Sequence, residues 1–156
     1  MSAIVSVPVS RGWLAQLFSG RPHQVVGPVD RPYLLRWFII PRNRIANIYL
    51  HKFVRSDEPD ALHTHPWPFA SVLLAGSYWE VTASGRRRRR AGSVAVRAAD
   101  FAHRIEMPES VAGQRRWPCW TLVLTGPKVA EWGFWCGPDR FIPWTQFAGG
   151  CGEDQS

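Results

Sequence analysis

Thirteen glycines and thirteen prolines, spread along 156 residues rather than gathered in one tract, constrain this chain most. Each Pro removes a backbone donor and each Gly invites a turn, so little room is left for long helices. Between the breakers lie short apolar segments, many of them alternating, which is the pattern of strands. Residues 33–40, 45–54, 69–74, 78–83, 94–97, 117–125 and 129–136 read as strands, and another begins at His103. Within 45–54, Asn47, Tyr49, His51 and Phe53 share one face, and Ile48, Leu50 and Lys52 the other. Ser84-Gly85 marks a hairpin. Many short strands with frequent turns predict an all-β barrel or sandwich, and the length suits one domain.

The expected organisation has three parts. Residues 1–32 form an N-terminal arm or edge element, with a short helical turn near 12–18 and Ser10 as its candidate cap. Residues 33–147 hold the strands, and 148–156 a flexible tail. Residues 108–116 read as a loop.

Composition narrows the function classes. Apolar residues make up 46% and charged residues 20%, which fits a globular chain. No apolar run approaches the roughly 18 residues of a membrane span. The N-terminus shows no basic segment followed by an apolar stretch, so no secretory leader is expected. Three cysteines, Cys119, Cys136 and Cys151, lack a Cys-x-x-Cys spacing and are odd in number. That argues against a disulfide framework and a zinc knuckle, and it predicts a cytoplasmic setting. Cys151, in Gly-Gly-Cys-Gly, reads as an incidental thiol on the tail. The formal charge of +7 favours anionic partners in general. Arg86 to Arg90 follow the hairpin directly, so they read as a charged edge strand or hairpin arm, and no nucleic-acid partner is expected.

The chemistry centres on Leu62-His63-Thr64-His65-Pro66-Trp67-Pro68-Phe69. Two His one residue apart on a strand put both imidazoles on one face. Imidazole is the commonest metal ligand among side chains. His103, on a separate strand, is the third candidate. By the same parity Trp67 and Phe69 face the barrel interior as a pocket wall, joined from the preceding strand by Tyr49 and His51. Tyr78 and Glu80 share a face on the next strand and are the candidate catalytic pair. For Glu80, a late carboxylate ligand, a general base and an exposed strand residue all remain open. Asp57 and Asp60 sit on the loop before the motif, where solvation is the default. Arg36, Arg97 and Arg104 are candidate partners for a phosphate or carboxylate.

The spacing of His63, His65 and Gly76, and then of Gly92 and His103, resembles the two motifs of the cupins. The first motif of that family runs from a Gly through His-x-His to a Glu and a closing Gly. Here Asp57 stands at the leading Gly and Phe69 at the Glu. The second runs from a Gly through Pro and Gly to His and Asn. Here Ala98, Asp100 and Met107 occupy the Pro, Gly and Asn places. The resemblance covers residues 33–145 and is nearest to small, stand-alone bacterial or phage-type cupins.

It implies a jelly-roll β-barrel with an N-terminal extension. It also implies a divalent metal on His63, His65 and His103: Fe(II) first, with Zn(II), Ni(II) or Mn(II) as the other candidates. Cupin-fold thiol dioxygenases are similar in using three His on iron, so the lost Glu does not remove metal chemistry. The implied function is that of an Fe(II)-dependent dioxygenase-like oxidoreductase acting on a small organic or anionic substrate. A non-oxidative isomerase, epimerase or lyase, or a non-catalytic small-molecule binder, is the alternative on the same fold. A homodimer is common in the family, and the apolar stretch 33–40 is its candidate edge.

Overall fold

The computed structural model describes residues 4–6, 12–28, 30–108 and 117–152. The candidate cap Ser10, most of the 108–116 loop and residues 153–156 lie outside the described residues. Among the described residues, thirteen strands and one short helix follow one another. They are β1 (Ile4–Ser6), α1 (Trp13–Phe18), β2 (Gln24–Val26), β3 (Leu34–Phe38), β4 (Asn47–Phe53), β5 (Leu62–His63) and β6 (Phe69–Ala75). After these come β7 (Ser77–Thr82), β8 (Gly85–Arg90), β9 (Val94–Arg97), β10 (Arg104–Glu106), β11 (Cys119–Thr125), β12 (Gly133–Trp135) and β13 (Phe141–Pro143). All pairings are antiparallel.

One sheet has seven strands in the order β1-β2-β3-β4-β11-β6-β9. The other layer consists of two three-stranded sheets, β10-β7-β8 and β13-β12-β5. An isolated bridge between His63 and His103 ties these two together. The result is a jelly roll with an N-terminal extension, because β1 and β2 add to the free side of β3.

Alternation builds the interior. On β4, Asn47, Tyr49, His51 and Phe53 are all buried, and the residues between them are partly exposed. On β11, Cys119, Thr121, Val123 and Thr125 point inward in the same way. The apolar end of the barrel is a cluster of Val26, Leu34, Phe53, Leu73, Tyr78, Ile105, Met107 and Cys119. The two motif glycines are there for backbone reasons. Gly76 and Gly92 both have positive φ, +82° and +87°, where a side chain is strained. At Gly76 a Cβ would also lie 3.0 Å from the Pro118 carbonyl oxygen.

Three expectations are corrected. The stretch 33–40 is not an edge: β3 is hydrogen-bonded on both sides, by β2 and β4, so it offers no free strand to a second copy. Two cysteines are paired after all: Cys136 and Cys151 form a disulfide that ties the tail to the end of β12, and Cys119 alone is free and buried. Four of the five consecutive arginines lie exposed on edge strand β8, but Arg89 turns inward and is buried. No helix among the described residues is long and apolar enough to cross a membrane.

Gly76→Ala is expected to lower the unfolding free energy in urea by about 1–3 kcal/mol, from φ strain and the Pro118 clash. Gly150→Ala, where a Cβ meets nothing within 4 Å, serves as the near-neutral control. In thiol labelling, Cys119 should react only after denaturation, and Cys136 and Cys151 only after reduction.

Candidate metal centre

The His-x-His segment is held by backbone bonds on alternating sides. His63 exchanges N–H···O bonds of 2.9 and 3.0 Å with His103. Thr64, on the opposite face, donates its N–H to the Gly133 carbonyl and accepts the Gly133 N–H on its Oγ1. His65 donates its N–H to the Ala99 carbonyl at 3.0 Å. Thus the period-2 geometry of the strand turns both imidazoles inward, while the bridge to β10 brings His103 beside them.

The ligand nitrogens of His63, His65 and His103 all lie within 4.8 Å of one another. His65 Nε2 and His103 Nε2 are 2.9 Å apart. An ion that holds His nitrogens at about 2.0–2.1 Å in a tetrahedron sets them about 3.3 Å apart. The three imidazoles therefore fit a single ion with little rearrangement. The donor set is all nitrogen, which suits zinc, copper, iron and nickel.

The charge around the cluster is arranged to keep lone pairs available. Burial, then His103, lowers His63 to about pH 3, against a bond to the Ala61 backbone. Burial, then His63 and His103, pushes His65 well below the ordinary imidazole value. Glu80 lies behind His103, with Oε1 3.1 Å from His103 Nδ1. Burial would raise Glu80, but the bonds from His103 and Arg97 hold its pKa at about 2. An ionised carboxylate only accepts, so Nδ1 carries a proton and Nε2 is the nitrogen turned to the cluster. Arg97 completes a two-point contact with Glu80, Nη2 to Oε2 at 2.7 Å and Nε to Oε1 at 3.3 Å. Arg89 Nε adds a second cation 3.5 Å from Oε2.

The structure places the other candidates as follows. Phe69 stands where a carboxylate was missed, with its ring 4.8 Å from His65 and 5.9 Å from His103. Trp67 packs against Tyr49, with ring centres 6.3 Å apart. His51 stacks on Tyr49, and its Nε2 accepts a bond from Arg36 Nε at 2.8 Å, so this lone pair is committed. Tyr78 packs on Phe53 in the apolar cluster, where burial pushes its phenol up to about 12. Glu80, the other half of that pair, is buried rather than an exposed strand residue.

Alternation alone left three features unseen. Phe101 and Phe134 join the wall, 5.5 Å from His103 and 6.2 Å from His63. Asp57 is not a solvated loop residue. Its Oδ2 accepts the Ile105 N–H at 2.6 Å and lies 4.0 Å from His63 Nε2. Burial raises Asp57 to about 6, against the pull of that N–H. Its place at the leading Gly of the first motif was the only signal. Arg89 could not be told from its four neighbours by residue type.

The architecture is the cupin fold. The chain matches a putative mannose-6-phosphate isomerase from Ralstonia eutropha JMP134 with a TM-score of 0.50 and 17% identity, over 64% of this chain and 90% of that one. It matches the polyketide cyclase RemF from Streptomyces resistomycificus with a TM-score of 0.50 and 13% identity, over 75% of each chain. It matches FeII HppE with a TM-score of 0.50 and 8% identity, over 63% of this chain and 52% of that one. At these identities the likeness is one of fold. No protein-family model and no curated protein matches the sequence.

Glu80 is 5% exposed and holds three basic groups, so its loss should be felt in acid. Its folded pKa of about 2 lies below the usual 4.5, so its stabilisation is full above 4.5 and vanishes as pH falls through 2. Urea titrations from neutral pH down to that range should show a shallower acid loss for Glu80→Gln than for the wild type. The variant should also be less stable at neutral pH by about 3 kcal/mol, since it leaves buried cations unpaired.

Proposed function

We propose that this chain is a metal-dependent cupin enzyme, with a divalent ion, Fe(II) first, held by His63, His65 and His103, and with oxygenase-type chemistry on a small organic anion. The observation that carries the reading is the convergence of three imidazoles with no carboxylate in the group. A bound Fe(II) would supply a site at which dioxygen and an anionic substrate are activated together; Zn(II) there would instead acidify a water. The residues of the chain do the rest. Three neutral ligands leave the full charge of the ion to attract an anion. Glu80 positions His103 through Nδ1 rather than touching substrate, and Arg97 and Arg89 hold Glu80. Phe69, Phe101 and Phe134 make a wall that excludes water from the reacting atoms. FeII HppE, an iron-bound protein, shares the fold.

A non-oxidative isomerase or lyase is the second reading. Asp57 favours it, as a buried carboxyl beside His63 with a pKa of about 6, in the range suited to general acid–base work. Dioxygen consumption by the Fe(II) protein over a panel of small carboxylic acids supports the first reading. Turnover that persists without oxygen supports the second.

Protein purified without chelators should carry about one ion per chain. Saturating Fe(II), Zn(II), Ni(II) or Mn(II) should raise its thermal midpoint, by about 2.7 kcal/mol of added stability at a hundredfold excess over Kd. His63→Ala and His103→Ala should lose both the ion and the stabilisation. Less than about 0.1 ion per chain, together with no thermal response of the wild type to any of the four metals, overturns the assignment.

A further inference from the structure

An antiparallel sheet with one face in water alternates apolar and polar residues along its strands, and a sheet covered on both faces does not. The seven-stranded sheet is of the second kind. Its inward positions belong to the barrel, and Tyr49, Leu73, Ala95 and Val123 are buried there. Its outward positions are apolar as well. Trp37, Leu50, Leu122, Val72 and Val94 stand in register across β3, β4, β11, β6 and β9. Ile48, Leu124, Ala70 and Val96 form the row beside them. The outward positions of β4, β6, β9 and β11 hold no acidic residue and no arginine. Their one charge is Lys52, whose ammonium lies 5.2 Å from the centre of the Trp120 ring. The chain has 19 basic and 12 acidic residues, so charge is not scarce; it lies elsewhere. Arg86, Arg88 and Arg90 are exposed on β8, in the other layer.

The N-terminal extension covers one end of this outer face. Trp37 is buried there, donating its Nε1–H to the Gly20 carbonyl at 3.1 Å and stacking on Trp120 at 5.5 Å. The cover stops at that end. Beyond it Leu122 is 37% exposed, Leu124 50%, Leu74 51%, Val94 61% and Val96 73%. These five side chains leave about 450 Å² of apolar surface in water, in the size range of patches that are often functional. A standard interface buries about 800 Å² per partner, a little over half of it apolar. The patch therefore matches the apolar share of one such interface.

We propose that this face is where two copies of the chain meet, sheet on sheet, about a two-fold axis. Aligned sheets pack about 10 Å apart with strand directions within about 30° of each other. Faces make this contact, so it needs no free edge at β3. Charge selects a second copy over the other occupants. An anionic membrane draws a face that carries cations, and here the exposed arginines of β8 are on the opposite layer. A charged protein surface would bury its charges unmatched against these residues. A second copy brings the same uncharged surface, and the two-fold axis lets each apolar patch cover the other. The assignment does not depend on the reading of the histidine cluster.

Sedimentation equilibrium of the purified full chain tests it. At concentrations of about 100 µM the mass should be twice that of the chain, since interfaces of this size dissociate in the micromolar range or below. The dimer should persist in about 1 M sodium chloride, which screens charge but not apolar contact. Leu124→Glu and Val96→Glu should each weaken it at least about a hundredfold, because the symmetry buries every introduced charge twice. Both positions are exposed in the single chain, so circular dichroism and Ni(II) uptake should match the wild type. Val96→Glu, on the outermost strand, decides the matter if Leu124→Glu fails to fold. Ser84→Glu, exposed on the β7–β8 hairpin, should leave the dimer intact. A wild type that is monomeric throughout overturns the interface, as does a dimer that neither Glu variant weakens. A monomer that floats with anionic vesicles, and ceases to do so on Leu124→Glu, gives the face to lipid and also overturns it. A dimer dissolved by both Glu variants in a protein that takes up no metal upholds the interface and removes only the metal reading.

Discussion

Two backbone hydrogen bonds between His63 and His103 hold the second layer of this barrel together. Without them β10-β7-β8 and β13-β12-β5 would be separate three-stranded sheets. Each such bond contributes only about 0.5–1.5 kcal/mol net. Their importance is geometric. The same residues that close the sheet carry two of the three imidazoles, so forming the fold and forming the cluster are one event. The bonds of Thr64 to Gly133 and of His65 to Ala99 extend that constraint through the rest of the His-x-His segment.

Charge is distributed around the cluster in layers. The imidazoles sit among phenylalanine rings, and burial keeps His63 and His65 from protonating. The ionised group nearest to them, Glu80, faces away from the cluster and is neutralised by Arg97 and Arg89. On the opposite sheet Arg36 has no such counter-charge.

Much of the fold was legible in the order of residues. The alternation in β4 assigned Asn47, Tyr49, His51 and Phe53 to one face, and burial follows it residue by residue. The spacing of His63 and His65 before Gly76, and of His103 after Gly92, pointed to their convergence, and both glycines do occupy positive-φ positions. What failed did so for physical reasons. The apolar stretch 33–40 looked like an edge because sequence does not state which strands β2 will cover. Cys151 looked incidental because an odd cysteine count says nothing about which thiols the chain brings together, and its partner is Cys136. Asp57 looked solvated because its partner, the Ile105 N–H, is far along the chain.

The sequence by itself determined local matters: short strands, tight turns, which side chains share a face, and a ligand spacing matching that of a cupin. These depend on backbone periodicity and on the φ preferences of Gly and Pro, which are properties of neighbours in the chain. Only the tertiary structure decided the roles of individual charges. It turned Arg89 inward from a run of five identical residues, placed Glu80 behind His103, buried the Asp57 carboxyl, and held Arg36 by the neutral groups of His51 and Gln24. Whether a charge is solvated, paired or unmatched depends on what other strands bring to it across the barrel, and no local pattern records that.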